Sequence, residues 1–232
     1  VQPIAIGHEG VQVAVAVHIA QGDTQRERGA QAVAAVAEEA ATIVVTFFTA
    51  YYSLKQLADL QEGETVLIHG AAGGVGLAAI QICNYMGAEV FATAGSDEKR
   101  DFLRMLGVKH VMDSRSLDFV DEVLEATDGD GVDVVLNSLA GEALFKSLDL
   151  VKPMGRFLEL GKRDFFGNTP MRMRPFRRNV TFYGIDVDQI MVYKPEMGNK
   201  LFNELVDLFE QGIFKPLTHT VYPHTMAVEA FK

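Results

Sequence analysis

TVLIHGAAGGVGLAAIQ, from Thr65 to Gln81, sets a short apolar run against a glycine-rich turn and then a run of small residues. In that context backbone N–H groups and a helix N-terminus can hold a pyrophosphate, so the stretch reads as the opening strand, turn and helix of a dinucleotide-binding βαβ unit. The backbone of Ala72, Gly73, Gly74, Val75 and Gly76 is the candidate phosphate cradle. Gly73 and Gly74 let the chain approach the phosphates, and Gly76, continued by Ala78 and Ala79, lets helix pack closely on strand. Ala71 stands where the generic G-x-G-x-x-G pattern has its first glycine.

Outward from this stretch, short β-branched runs alternate with helix-like segments, the pattern of a mostly parallel sheet. Strands are predicted at Thr65 to His69, Glu89 to Thr93, His110 to Asp113, Val132 to Asn137, Gly155 to Leu160 and Asn179 to Ile185. Their nearly continuous apolar character predicts cover on both faces. Helices are predicted at Val75 to Met86, Glu98 to Leu106, Phe119 to Ala126, Gly141 to Leu150 and Glu196 to Gln211, with Gly87, Gly107 and Gly212 at C-cap positions. Upstream, Phe47 to Leu60 reads as a helix. Val11 to His18 alternates as a half-exposed strand does, and an Ala-rich helical run follows it. The fold class is therefore α/β, a Rossmann-type doubly wound parallel sheet.

The end of the second strand selects the dinucleotide. An NAD site expects a carboxylate there for the ribose 2′-hydroxyl. The strand instead runs into Ala94, Gly95 and Ser96, followed by Asp97, Glu98, Lys99 and Arg100. Ser96 can donate to a 2′-phosphate and Lys99 or Arg100 can neutralise it, with Arg115 after the third strand as a further base, so NADPH is favoured. Asp97 and Glu98 fit a helix first turn. Asn137 and Ser138, with Leu139 beside them, and Gly161 lie at carboxyl ends of strands, where nicotinamide and its ribose are expected.

Composition removes other classes. The 232 residues are 48% hydrophobic, 22% charged and 9% aromatic, enough for one large domain or two modest ones. Thirty-one acids against 21 bases give a formal charge of −10, which disfavours nonspecific nucleic-acid binding and anionic membranes. A lone cysteine, Cys83, fits a reducing cytoplasm. No apolar run reaches the roughly 18 residues of a membrane span, and VQPIAIGHEG carries no signal-peptide pattern. The absent initiator Met and the helix-like ending MAVEAFK lead us to expect a piece of a longer protein.

Several separated motifs carry a family resemblance: FFTAYYSLKQLADLQEGETVLIHGAAGGVGLAAIQ, ATAGSDEKR, VDVVLNSLAGE and FLELGKRD. Together they resemble the enoyl reductase domain of modular polyketide synthases and animal-type fatty acid synthases. That domain belongs to the zinc-independent, quinone-reductase-like branch of the medium-chain dehydrogenase/reductases. The resemblance covers about Glu38 to Phe231. It implies a truncated remnant of a GroES-like substrate-binding β-domain over residues 1–40 and an NADPH-binding Rossmann domain over 41–232. It also implies Thr49, in FFTAYY, as a cofactor contact; a helix N-terminal role is the plainer reading of that residue. GHEG, from Gly7 to Gly10, also resembles the zinc motif of alcohol dehydrogenases. A catalytic zinc needs three protein ligands and His8 has no cysteine nearby, so no metal is expected.

Reducing an α,β-unsaturated thioester requires hydride at Cβ, a proton at Cα and stabilisation of charge on the thioester oxygen. Lys162 follows the fifth strand, where ligands of parallel sheets bind, and could donate to the enolate or fix the carbonyl. The resemblance also proposes this lysine as catalytic. Asp186 and Asp188 stand two positions apart, on one side if the strand persists, and either could hold the lysine ammonium, Asp186 being slightly preferred. Between Lys162 and Arg178 six bases face only Asp164, a local excess of five positive charges. An acyl carrier protein is the partner expected to meet that stretch. Other domains of a synthase are expected partners as well, and an exposed apolar sheet edge, which the sequence does not show, would invite a homodimer. The expected function is NADPH-dependent enoyl reduction on a carrier-bound thioester, in the polyketide or fatty acid pathway. The alternatives are a stand-alone quinone or enone oxidoreductase and a noncatalytic NADPH-binding scaffold module.

Overall fold

A computed structural model describes residues 43–217, the pairs Val17–His18 and Tyr222–Pro223, and Met226. Most of the remnant expected over 1–40, the Ala-rich helix, His8 and the terminal MAVEAFK helix lie outside the described residues. Of the strand expected at Val11 to His18, β1 (Val17–His18) is described; it pairs in parallel with β8 (Tyr222–Pro223).

The six other strands form one parallel sheet. They are β2 (Thr65–Ile68), β3 (Glu89–Ala94), β4 (His110–Asp113), β5 (Val132–Asn137), β6 (Val151–Glu159) and β7 (Thr181–Gly184), in the order β4-β3-β2-β5-β6-β7. Strand direction alternates side chains between the faces. Val66, Ile68, Val134 and Leu136 thus enter one core, and Leu67, Val135 and Phe157 the other. The first core is closed by α1 (residues 43–57), α2 (Gly74–Met86) and α8 (Pro195–Glu210). The second is closed by α4 (Phe119–Ala126) and α5 (Glu142–Asp149). This two-sided cover is why the strands read as apolar without alternation.

Where element boundaries depart from the sequence pattern, a local cause is present. The fifth predicted strand begins four residues earlier, at Val151. Met154 takes a left-handed φ of 67°, and the pairing with β5 shifts between Val132 and Val134. That irregularity, together with Pro153, hid the first half of β6 from the pattern. α1 is α-helical only over Phe48–Tyr51 and π-helical on either side. Thr49 and Ser53 each donate their hydroxyl to the carbonyl four residues back, at 2.6 Å, and so compete for the helical ladder. Thr49 is therefore inside a helix and not at its N-terminus as expected. The short α3 (Asp97–Met105) begins one residue earlier than predicted. Two further helices, α6 (Arg163–Phe166) and α7 (Asp188–Tyr193), had no periodic signal to reveal them.

Gly76 is where the fold tolerates no side chain: a Cβ there would lie 2.5 Å from Ala71 Cα. Gly76→Ala must push α2 off β2 and is expected to lower the unfolding free energy by about 1–3 kcal/mol, the range of core overpacking, as read by urea denaturation.

Candidate functional site

Order reversal in the sheet opens a crevice between the carboxyl ends of β2 and β5, since the chain winds away from β2 in both directions. On one lip is the turn from Gly70 to Gly73. Ala71 N–H is spent on Thr93 O and Gly73 N–H on Gly70 O, which folds the turn back on itself. Helix bonding in α2 resumes at Leu77 N–H to Gly73 O, so the N–H groups of Gly74, Val75 and Gly76 form a first turn aimed out of the helix. A Cβ on Gly73 would come within 3.2 Å of Gly70 O, a tight contact inside the turn that glycine avoids. Such a backbone cradle fits a pyrophosphate.

Beneath the turn lies a group the sequence reading passed over. His69 is 4% exposed, and burial holds its imidazole down at about 3, so it is neutral. Ser147 donates its hydroxyl to Ala143 O at 2.7 Å and must accept from His69 Nε2, also at 2.7 Å. His69 is then the Nε2–H tautomer, and Nδ1 accepts from the Thr93 hydroxyl at 2.9 Å. Its apolar neighbours gave no pattern by which sequence could flag it.

Beyond β3 the residues expected at a 2′-phosphate sort into separate jobs. Ser96 caps α3, its oxygen accepting from Lys99 N–H, and it also bonds the Glu98 carboxylate. Arg100 does not stand free as a phosphate base. It donates to Ala94 O and Asp97 and is paired with Asp113 at 3.2 Å, its side chain only 14% exposed. Two carboxylates already satisfy its fork. Arg115, the less favoured base in the sequence, packs on Gly95, where a Cβ would lie 2.7 Å from its Nε. Among the described residues no carboxylate lies within ion-pair distance of Arg115 or Lys99.

On the other lip, Asn137 is fully buried. It donates to Leu139 O at 2.7 Å and to Glu159 Oε2 at 2.5 Å, and its Oδ1 accepts from Leu139 N–H at 3.2 Å. Its amide has no donor left for a nicotinamide, so its part is to shape the turn that carries Leu139. Ser138 is exposed and donates to His69 O at 3.2 Å, which leaves lone pairs to accept from a ligand. Gly161 gives its N–H to Glu159 Oε1. Thr49 spends its hydroxyl proton on Val45 O.

Lys162 stands at the crevice end of β6. Its ammonium donates to Ile185 O at 2.6 Å and lies 3.6 Å from Asp186, with the Phe165 ring 6.0 Å away. The two aspartates do not share a strand face: β7 ends at Gly184, Asp186 meets the lysine, and Asp188 is the exposed first residue of α7. There Asp188 complements the helix dipole. The basic stretch is likewise divided. Arg172 lies 4.9 Å over the Phe145 ring, while Arg178 donates to Asp149 O at the far end of α5. Because α5 begins at the crevice and ends at the start of β6, Arg174 to Arg178 sit at the opposite end of the sheet from Lys162.

This arrangement, a glycine cradle at the switch point of a parallel sheet, defines a Rossmann-type nucleotide-binding domain. The model of the family described as zinc-binding dehydrogenase matches residues 74–210. A mycocerosic acid synthase-like polyketide synthase of Mycobacterium tuberculosis is 42% identical over 194 residues, 84% of this chain and 9% of that protein. The chain thus spans less than a tenth of the synthase it matches. The nucleotide-binding subdomain of the enoylreductase domain of PpsC from Mycobacterium tuberculosis superposes with a TM-score of 0.72 at 43% identity, covering 75% of this chain and 98% of that one. The CurK enoyl reductase gives 0.76 at 46% identity, covering 83% and 57%. The chain belongs to the zinc-binding dehydrogenases, in the branch formed by the enoyl reductase domains of polyketide synthases. The residues described here do not fit a zinc ion. Among them no three His, Cys, Asp or Glu side chains gather, and Cys83 is buried in α2 with its thiol pushed up to about 12. No helix among them is long and apolar enough to cross a membrane.

The buried imidazole makes stability depend on pH. His69 is held below its unfolded value, so the unfolded chain takes up the proton first, and its contribution is lost as pH falls below 6.5 toward 3. His69→Gln is expected to remove up to about 1.4 kcal/mol of acid destabilisation per pH unit in that window, measured by denaturant titration at pH 7, 6 and 5.

Proposed function

We propose that the chain binds NADPH across this crevice and reduces the α,β double bond of an enoyl thioester, as one domain of a polyketide synthase. The observation that carries the reading is the placement of Lys162. An ammonium held by a carbonyl and a carboxylate stands at the same sheet end as the glycine cradle, with one N–H still unspent. The first turn of α2 would hold the pyrophosphate. Arg115 and Lys99 would hold the 2′-phosphate at Gly95, and Ser138 would accept from the carboxamide or ribose. When bound, the cofactor supplies the hydride that reaches Cβ. The chain's own work is to hold the enoyl thioester beside Lys162, whose free N–H gives its proton to Cα of the developing enolate and leaves a neutral amine. Asp186 and Ile185 O fix the direction of that donation.

A thioester substrate implies a carrier. An acyl carrier protein, acidic where it docks, would meet the exposed Arg172 and Arg174 along α5 rather than at the crevice mouth. A stand-alone quinone or enone reductase would share the cradle but gains nothing from these bases.

Two substitutions test the reading. Arg115→Ala is expected to weaken NADPH binding about tenfold or more while leaving NADH within about twofold, read by nicotinamide fluorescence. An equal loss for both cofactors would refute the 2′-phosphate assignment. Lys162→Ala is expected to lower kcat for a crotonyl-pantetheine thioester about 100-fold without changing the NADPH Kd. A parent chain that binds NADPH but never oxidises it with an enoyl thioester would make this a noncatalytic nucleotide-binding module.

A further inference from the structure

Glu159, the last residue of β6, takes no part in the chemistry above, yet it is only 2% exposed and lies under the crevice. Its two oxygens face different loops. Oε1 accepts from Gly161 N–H and Oε2 from Asn137 Nδ2, each at 2.5 Å. The fit is close on the first side, since a Cβ on Gly161 would lie 2.6 Å from Oε1. Asn137 in turn holds Leu139 by two bonds, and Asn137 O accepts from Leu160 N–H at 2.9 Å. The backbone of the same residue reaches β7: Glu159 O accepts from Ile185 N–H at 2.9 Å, and Ile185 O is the acceptor that holds Lys162. One side chain therefore links the turns that follow β5 and β6, and its backbone reaches the segment after β7.

We propose that Glu159 is a positioning residue of the crevice: its ionised carboxylate ties the Gly161–Lys162 turn to the Asn137–Leu139 turn, and neutralising it loosens the edge on which nicotinamide rests. This rests on the cofactor reading above. The hydrogen-bond inventory requires the charge. Gly161 N–H and the Asn137 amide nitrogen can only donate, and Asn137 Oδ1 is occupied by Leu139, so a protonated carboxyl would set its O–H against a donor. A glutamine in its place can satisfy one partner and opposes the other. Charged neighbours are few. Lys162 and Asp164, on the turn beyond β6, act on it in opposite senses; β5 presents the neutral Asn137, and β7 pairs at Gly184. Burial is the largest influence and pushes the carboxyl up to about 7, with the two donors and Lys162 pulling down and Asp164 pushing up. The tie is then made and broken within the working range of pH. Because the cofactor-binding form is the ionised one, affinity rises as pH increases through about 7.

The test uses NADPH titrations from pH 6 to 8.5 on the whole chain, Glu159→Gln, Gly161→Ala and the double variant. The 2′-phosphate titrates alike in all four and cancels in their ratios. Wild type is expected to bind about tenfold more tightly than Glu159→Gln at pH 8, the ratio shrinking toward one at pH 6. Gly161→Ala, which breaks the tie from the other side, is expected to copy this, and the double variant to lose no more than either single one. A ratio unchanged with pH, or losses that multiply in the double variant, would overturn the proposal. The Gly161 amide resonance, followed without cofactor, is expected to titrate with a midpoint near 7 in wild type and to be flat in Glu159→Gln. No titration would overturn the proposal whatever NADPH does. A titrating amide in a chain that binds no NADPH at any pH would instead reject the cofactor reading and leave the tie standing.

Discussion

The approach of Gly76 to the Ala71 backbone holds the first turn of α2 against the carboxyl end of β2, and the crevice is built outward from that contact. A single Cβ would meet the Ala71 Cα at 2.5 Å, well inside van der Waals contact. With the helix seated there, its first-turn N–H groups lie beside the crevice where the connections leaving β2 and β5 run to opposite faces of the sheet. Apart from Lys99 on α3, the other groups at the site are placed by the sheet ends beside it. Arg115 follows β4, Ser138 follows β5 and Lys162 follows β6, so parallel pairing brings together residues far apart in the chain.

Polar burial supports this geometry from below. His69 and Glu159 are both inside, and both have every hydrogen-bonding atom matched. They act on stability with opposite signs. Protonation of the buried imidazole in the unfolded chain penalises acid, whereas the buried carboxyl, raised toward 7, holds its proton longer when folded than when unfolded, so its contribution falls as pH rises from about 4.5 to 7. A crevice floor made of such groups is rigid when satisfied and costly when not.

Much of the architecture was legible from residue order. The apolar strand runs, the glycine turn and the helix C-cap glycines predict six parallel strands with helices on both faces, and five of the six strand positions agree with the pattern to within about two residues at each end. The exception, the first half of β6, carries Pro153 and a left-handed Met154, which a periodicity argument reads as loop. α6 and α7 were missed because helices of four and six residues are too short to show a repeat.

The candidate site divides along a different line. Residue type and strand-end position, with the family resemblance beside them, were sufficient by themselves to nominate the glycine turn, Lys162 and the pair of aspartates, because parallel strands deliver their carboxyl ends to one edge whatever else the chain does. Which nominated side chain is free to act was decided only in three dimensions. Arg100 is consumed by Asp97 and Asp113, Arg115 lies on Gly95, Asp186 meets the lysine while Asp188 starts a helix, and the basic stretch runs the length of α5. Glu159 and His69 looked like ordinary strand residues. Charge partners and burial come from contacts between residues distant in sequence, and no local pattern carries that information.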